Sequence, residues 1–423
     1  MSTGEDLLRA IAVGPDDHAL RLVYADWLEE TGDETLAAFI RVNVAIEGQG
    51  GDQLADPALR AQHSALYSAS QEGITLPKWA RRWGLLNPWN GIVTAVEMSA
   101  SSFLRYGRRL DQYLPGVRLV HLSAAKKSWQ KVAAHEGLRM VRELPLMETE
   151  TWPALRESPL ADHLERLSSW YVPALGAART PWPRLREISL SKSEVDELFL
   201  HWLSDAVQTP ALERVRLRDL SWSYEWTEFL GRLLPRKSLL ELHLGDLWAG
   251  DTYLWLPEGG SSSVRVLSLN NVHMYENDYR RFLLDAEWPN LEQLLLWNSD
   301  IPGSVIHDIL RSDAFPRLWR LGLKNNPIDM PTTAALCDLP GFARLRALSW
   351  WQLNLDDEAG LALARSPNAA NLEVLDLAGN RFTDAVAHAL IASPYLNNLR
   401  RLHIYESFSS EAEKLLRSRF PVL

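Results

Sequence analysis

Leu372-Glu373-Val374-Leu375-Asp376-Leu377-Ala378-Gly379-Asn380-Arg381-Phe382 decides how this chain is read. Its apolar residues follow the order LxxLxL, and that order begins again at Leu185, Leu212, Leu239, Val264, Leu291, Leu318, Leu345, Leu372 and Leu399. Seven of the eight intervals are 27 residues and the other is 25. A fixed period of this size marks stacked units, each a short strand and a return segment, that cannot bury their apolar faces alone. Behind the strands, residues 357–364 and 384–390 space Ala and Leu as a packed helix does. The expected class is α/β: a solenoid with one parallel sheet and a layer of helices.

Residues 318–328 repeat the pattern and set Asn326 where Asn380 stands. These residues resemble a leucine-rich repeat, and the long period with Ala/Leu-rich helices is similar to the ribonuclease-inhibitor type. The resemblance runs from about Pro183 to the C-terminus. It implies a curved horseshoe with its sheet on the concave face and helices on the convex one. Upstream, Val93-x-x-Val96-x-Met98, Val117-x-x-Val120-x-Leu122, Val141-x-x-Leu144-x-Leu146 and Leu164-x-x-Leu167 continue it at intervals of 24, 24, 23 and 21. Thirteen strands are expected. At ~4.7 Å between neighbours they make a sheet on the order of 60 Å long, enough to hold a folded protein.

The first ninety residues read differently. Pro15-Asp16-Asp17 opens a helical run over residues 18–30, with Leu20, Val23, Tyr24, Trp27 and Leu28 on one face, and Gly32 stops it. A second run covers 34–46. Leu7-Leu8-Arg9-Ala10-Ile11, Pro15-Asp16-Asp17, residues 22–33 and Phe39-Ile40-Arg41 together resemble the repeat-companion domain that accompanies leucine-rich repeats in planctomycete and myxobacterial proteins. That resemblance implies bacterial origin and genomic company with such repeats, and no activity. Tyr24, Asp26 and Trp27 read as packing and capping residues. Residues 48–51 make a flexible break, 57–71 another helix, and 76–84 a basic, aromatic helix or turn that lids the first strand. The expected domains are a helical companion domain (1–48), a helical connector and cap (49–90), irregular repeats (91–182), and regular 27-residue repeats ending in a capping helix (183–423).

Composition excludes several classes. A formal net charge of −10 over 423 residues argues against a generic nucleic-acid binder, which carries a basic footprint. A single cysteine, Cys337, leaves no intrachain disulfide framework and fits a reducing compartment. The N-terminus lacks the basic and apolar regions of a secretory signal, and no stretch approaches a membrane span. A cytoplasmic protein, monomeric when alone and without cofactor or metal, is expected.

Tryptophan is the outlier, at eighteen residues. Trp182, Trp288 and Trp152 stand in a W-P context and read as packing between repeats. Trp222, Trp226, Trp248 and Trp255 fall after strands, where packing and partner contact are equally open. The third, fifth and seventh positions of LxxLxL alternate away from the core, so each forms a row across the sheet. The third-position row opens Glu187, Arg214, Glu241 and predicts a cross-strand charge ladder. The seventh runs Ser191, Arg218, Gly245, Asn270, Trp297, Lys324, Trp351, Ala378, Tyr405. Trp and Tyr dominate interface hot spots. Trp297, Trp351 and Tyr405 are therefore the expected anchors of a partner site, with Lys324, Asn298, Gln352 and Arg320 around them. A second candidate patch joins Trp170 and Tyr171 with Arg214, Arg216 and Arg218. Its guanidinium forks suit an acidic partner segment, or are neutralised by Glu187, Glu241 and Asp219.

The fifth-position row sets Ser349, Asp376 and His403 on successive strands, but a hydrolytic triad needs His bonded to both of the others, and here Asp376 lies between. An Asp376 to His403 hydrogen bond is expected instead. No nucleophile elbow, phosphate loop, HExxH or paired-cysteine metal spacing occurs in the sequence. The reading is a non-enzymatic protein-binding module that holds a partner in its groove as inhibitor, scaffold or sensor. The alternatives are a constitutive subunit of a larger assembly, or a single-stranded nucleic-acid binder using the Arg and Trp residues of the groove.

Overall fold

The computed structural model describes residues 3–14, 17–49, 55–70, 84–86, 92, 94–123, 128–146, 151–158, 161–170, 176–178, 180–192, 195–220, 224–247, 256–257, 259–326, 328, 330–404 and 408–420. Two compact units divide them: residues 1–188 with 207–211, and 189–206 with 212–423.

The first unit opens with four helices: α1 (Gly4–Val13), α2 (His18–Thr31), α3 (Glu34–Gly48) and α4 (Pro57–Ser70). Each start has a local cause. Thr3 and Asp6 form a capping box on α1, Asp17 accepts from the first amides of α2, and Asp33 caps α3. Gly32, at φ +99°, ends α2 in the left-handed conformation that glycine adopts without strain. Leu7, Ile11, Ala25, Leu28, Ala37 and Ile40 form the core between α1, α2 and α3. Tyr24 is buried and stacks on Trp27 with ring centres 5.8 Å apart. Gly4 leaves the room that the Trp27 ring fills, since a Cβ there would meet it at 2.4 Å. Asp26 pairs with Arg41 of α3 at 2.8 Å. All three residues are thus engaged in packing and pairing. Arg21, 2% exposed, holds both carboxylate oxygens of Glu47, at 2.6 and 3.0 Å. A buried charge in this setting needs such a fork.

Strands β1 (Gly84–Leu86), β2 (Ala95–Ser99), β3 (Leu119–Ser123), β4 (Glu143–Leu146) and β5 (Arg166–Trp170) follow in this unit. The last four fall on the irregular repeats read upstream of Pro183, and β2 through β5 pair in parallel. β1 is a departure. Gly84, expected at the end of a helical lid, begins a strand that runs antiparallel to β2, so the edge of the sheet is covered by backbone pairing. Residues 76–83 lie outside the described residues. Trp152 and Trp182 are fully buried and meet edge to face at 5.6 Å.

β6 (Glu187–Ser191) spans the boundary in sequence. The second unit continues with β7 (Arg214–Arg218), β8 (Glu241–Gly245), β9 (Val266–Asn270), β10 (Gln293–Trp297), β11 (Arg320–Gly322), β12 (Ala347–Ser349), β13 (Val374–Asp376) and β14 (Arg401–His403). From β7 to β14 they lie in chain order, parallel and unclosed. Register is set repeat on repeat: Arg214, Glu241, Val266, Gln293, Arg320, Ala347, Val374 and Arg401 stand side by side. Helices alternate with the strands from Glu197–Ser204 to Ser410–Arg419, except between β8 and β9, where the described residues hold none. The chain is a repeat solenoid.

The repeat positions explain this. The first, fourth and sixth are buried in repeat after repeat, as in Leu291, Leu294 and Leu296 or Leu372, Leu375 and Leu377. Each such side chain contributes roughly 1.5–3 kcal/mol. At the eighth position Asp219, Asp246, Asn271, Asn298, Asn325 and Gln352 all have φ between +48° and +56°. Their N–H groups donate to the seventh-position carbonyl of the next repeat at 2.8–3.0 Å. Asn and Asp tolerate this left-handed turn better than most residues, which accounts for the column.

Candidate functional site

β10, β11 and β12 carry the third and fifth positions; of the seventh-position residues, Trp297 ends β10, whereas Lys324 and Trp351, expected on strands, lie in the turns two residues past β11 and β12 of neighbouring repeats. Their spacing is held by main chain. Asn298 N–H donates to the Lys324 carbonyl and Asn325 N–H to the Trp351 carbonyl, both at 2.9 Å.

Each indole has a glycine to lie against. A Cβ on Gly322 would stand 3.1 Å from both Trp297 Nε1 and Leu295 Cδ2, so the Trp297 indole edge and the Leu295 methyl fill the place of a missing side chain. A Cβ on Gly379 would stand 3.4 Å from Trp351 Cδ1 and Nε1. On the side of the preceding repeat, Lys324 Nζ sits 3.6 Å from the centre of the Trp351 ring. Trp351 is nonetheless 36% exposed, and Trp297 and Lys324 are half-buried.

Among the described residues the cations of this region have no carboxylate partners. Arg320 donates to Gln293 Oε1 at 3.0 Å, burial pushes its guanidinium below the ordinary value, and no carboxylate pairs with it among the described residues. The same holds for Lys324, whose contact is the indole face. Asn298 is engaged in a relay that the repeat pattern did not suggest: Asn325 Nδ2 donates to Asn298 Oδ1 and Asn298 Nδ2 to Asn270 Oδ1, both at 2.9 Å. The signal was present as asparagines at the seventh and eighth positions of successive repeats. Gln352 is exposed beside Trp351. Tyr405 lies outside the described residues.

The arginine patch is arranged otherwise. Arg214 and Arg216 each donate to Glu241 at 3.2 Å, and Arg218 donates to Asp246 at 2.8 Å. His243 adds a contact to Glu241 at 3.4 Å. The hydrogen bond from His243, followed by the Arg214 and Arg216 charges, holds the Glu241 carboxyl down at about 2. The ladder expected at Arg214 and Glu241 is therefore present, and Glu241 and Asp246 do the neutralising. Asp219 pairs with Lys192 at 3.5 Å, and Glu187 with Arg166 at 2.9 Å. Trp170 ends β5 of the first unit, 54% exposed. Tyr171 lies outside the described residues, as do Trp222, Trp248 and Trp255; Trp226 is buried.

Ser349 Oγ donates to Asp376 at 3.4 Å, while His403 Nε2 accepts from Arg401 Nε at 2.9 Å. Asp376 thus turns to Ser349 and to the Ala378 amide, not to His403 as expected. Asn326 and Asn380, expected to share one role, do so: each buried amide accepts from two main-chain N–H groups of the preceding repeat and donates to carbonyls. No helix among the described residues is long and apolar enough to cross a membrane.

No family model matches the chain. No curated protein matches it either. Among solved structures it is similar to the Rad7 and Elc1 complex in yeast, at 16% identity, covering 97% of this chain and 96% of that one, with a TM-score of 0.46. It is also similar to a Bacteroides fragilis protein, at 14% identity and TM-score 0.29, covering 62% of this chain. The chain spans 65% of the length of that Bacteroides fragilis protein. The repeat architecture stands on the chain's own strand register.

Proposed function

We propose that this repeat solenoid binds another protein, without catalysing a reaction, through the strand ends and following turns that carry Trp297, Lys324 and Trp351. The observation that carries the reading is Trp351: a tryptophan 36% exposed in the turn after β12, its carbonyl held by the Asn325 N–H of the preceding repeat and its ring flanked by an ammonium 3.6 Å from the centre. Residues whose main chain is fixed by hydrogen bonds between repeats lose little freedom on binding, and buried Trp anchors supply at least about 2 kcal/mol each in typical interfaces. Arg320 and Lys324, without carboxylate partners among the described residues, favour a partner that brings carboxylates to the rim. Asn298 and Gln352 border the anchors, and Tyr405 is next but one in the row after Trp351. The arginines at 214, 216 and 218, already held by Glu241 and Asp246, are a secondary surface with Trp170 and Tyr171 as further candidates. In this reading the repeats are of the ribonuclease-inhibitor type, the N-terminal helices are a bacterial companion domain, and the protein acts in the cytoplasm.

The test is affinity capture from native lysate by the wild type and by a Trp297→Ala, Trp351→Ala variant, with and without nuclease. Protein retained by the wild type, insensitive to nuclease and lost from the folded variant, is the expected result. Equal retention on both refutes the site. Retention abolished by nuclease replaces the protein partner with a nucleic acid.

A further inference from the structure

We infer that the partner segment seated on the aromatic row is acidic and extended, lying across the repeats with its main chain on a column of carboxamides. The inference rests on the reading that Trp297 and Trp351 anchor a partner. At the third, fifth and seventh positions of the repeats that hold β10, β11 and β12, the only charged residues are Arg320 and Lys324. The preceding repeat sets Val266, Ser268 and Asn270 at those positions. In the following one Asp376 is taken by Ser349 and the Ala378 amide, while Asp300, past the end of β10, is taken by His273 at 2.9 Å. A chain with a net charge of −10 thus presents two cations together, and neither pairs with a carboxylate among the described residues. Both are half-buried, so each keeps surface for a ligand to meet. Arg320 gives Nη1 to Gln293, and its other guanidinium nitrogens, none of them enclosed, are open to solvent.

Carboxylates on the incoming segment accept charge-assisted hydrogen bonds from these two cations. Its conformation follows from the carboxamides. Asn325 Nδ2 donates to Asn298 Oδ1 and Asn298 Nδ2 to Asn270 Oδ1, both at 2.9 Å, so the relay runs across the strands, along the row of Lys324 and the indoles. Each link uses one N–H of an amide that has two. At the ends of the relay, Asn270 Nδ2 and Asn325 Oδ1 have no partner among the described residues. Gln352 extends the column beside Trp351 and is exposed. These groups match main-chain N–H and C=O groups, which a helix or a paired strand has already used and an extended segment still offers. From Asn270 to Gln352 the chain advances from the repeat of β9 to that of β12. At ~4.7 Å per repeat that is roughly 14 Å, the length of about four extended residues.

The test is selection of a displayed library of random linear peptides of about seven residues on the immobilised full chain, followed by calorimetric titration of the enriched peptides. Enrichment of Asp and Glu is expected. Lys324→Met is expected to weaken binding of the enriched peptides by roughly tenfold, and main-chain N-methylation of the peptides by roughly as much. Asn325→Gly, which keeps the left-handed turn and removes the amide, is expected to weaken it by roughly fivefold. No enrichment, or enrichment of peptides without acidic residues, overturns the proposal. So do N-methylated peptides that bind as tightly as their parents, or acidic peptides that the Lys324→Met protein or the folded Trp297→Ala, Trp351→Ala protein binds as the wild type does. Should the library fail while the tryptophan variant still loses its protein from lysate, this inference falls and the aromatic row stands as the partner site; equal lysate capture by variant and wild type removes both.

Discussion

The ammonium nitrogen of Lys324 lies 3.6 Å from the centre of the Trp351 ring, one repeat away across the sheet. The contact pins two rotatable side chains without removing either from the surface. At a partly exposed site it is worth about 0.5–1 kcal/mol. Lys324→Met is therefore expected to lower stability in urea by less than about 1 kcal/mol while shifting the fluorescence of Trp351. A loss several times larger would mean that the pair is structural core.

Gly322 makes room for the second anchor. Gly322→Ala sets a methyl 3.1 Å from both Trp297 Nε1 and Leu295 Cδ2, so one of them must give by a few tenths of an ångström; with the indole edge shifted, partner affinity is expected to fall about tenfold with little loss of stability. Gly245→Ala, on the same strand face, meets nothing nearer than 3.6 Å and serves as the neutral comparison. Binding constants and near-ultraviolet circular dichroism of the two variants check this; equal behaviour would detach Trp297 from the site.

Asn380 is expected to matter for stability alone. Its Oδ1 takes the N–H groups of Leu353 and Leu355 at 3.1 Å, and its Nδ2 reaches the Trp350 and Leu377 carbonyls at 2.8 and 2.7 Å. Asn380→Ala orphans these buried groups and should cost about 2–5 kcal/mol in equilibrium unfolding, since each unsatisfied group costs about 1–3 kcal/mol. A cost below about 1 kcal/mol would show that water replaces the amide.

Glu241 predicts an acid limb. Its folded-state carboxyl sits at about 2, below the ordinary 4.5, so the stability it contributes is full above about 4.5 and is lost as pH falls towards 2. The contribution is on the order of 3 kcal/mol at neutral pH. Stability curves of the wild type and Glu241→Gln should converge through that window; parallel curves would mean that His243 and the arginines do not stabilise the carboxylate.

How much was legible follows from periodicity. Leu185 to Leu399 recur at spacings that force the fourth and sixth positions inward, so the third, fifth and seventh rows could be written down residue by residue, and Arg214 through Arg401 pair in that order. The upstream strands were legible for the same reason. β1 was not, because three residues pairing antiparallel leave no period to detect. Within the candidate site, Trp297, Lys324 and Trp351 were placed by register, but the Asn270, Asn298, Asn325 relay depends on side-chain rotamers that spacing does not encode. Asp376 likewise had two neighbours at the same position, Ser349 and His403, and only the structure separates them: Ser349 donates to the carboxylate, while His403 Nε2 accepts from Arg401.

The central claim is that Trp297 and Trp351 anchor a protein partner. The most direct measurement is the dissociation constant of the captured partner for the wild type and for the Trp297→Ala, Trp351→Ala variant, with both proteins shown to be folded by their urea transitions. A loss of a hundredfold or more is expected, on the order of 3 kcal/mol or greater. An unchanged constant in the folded variant would contradict it.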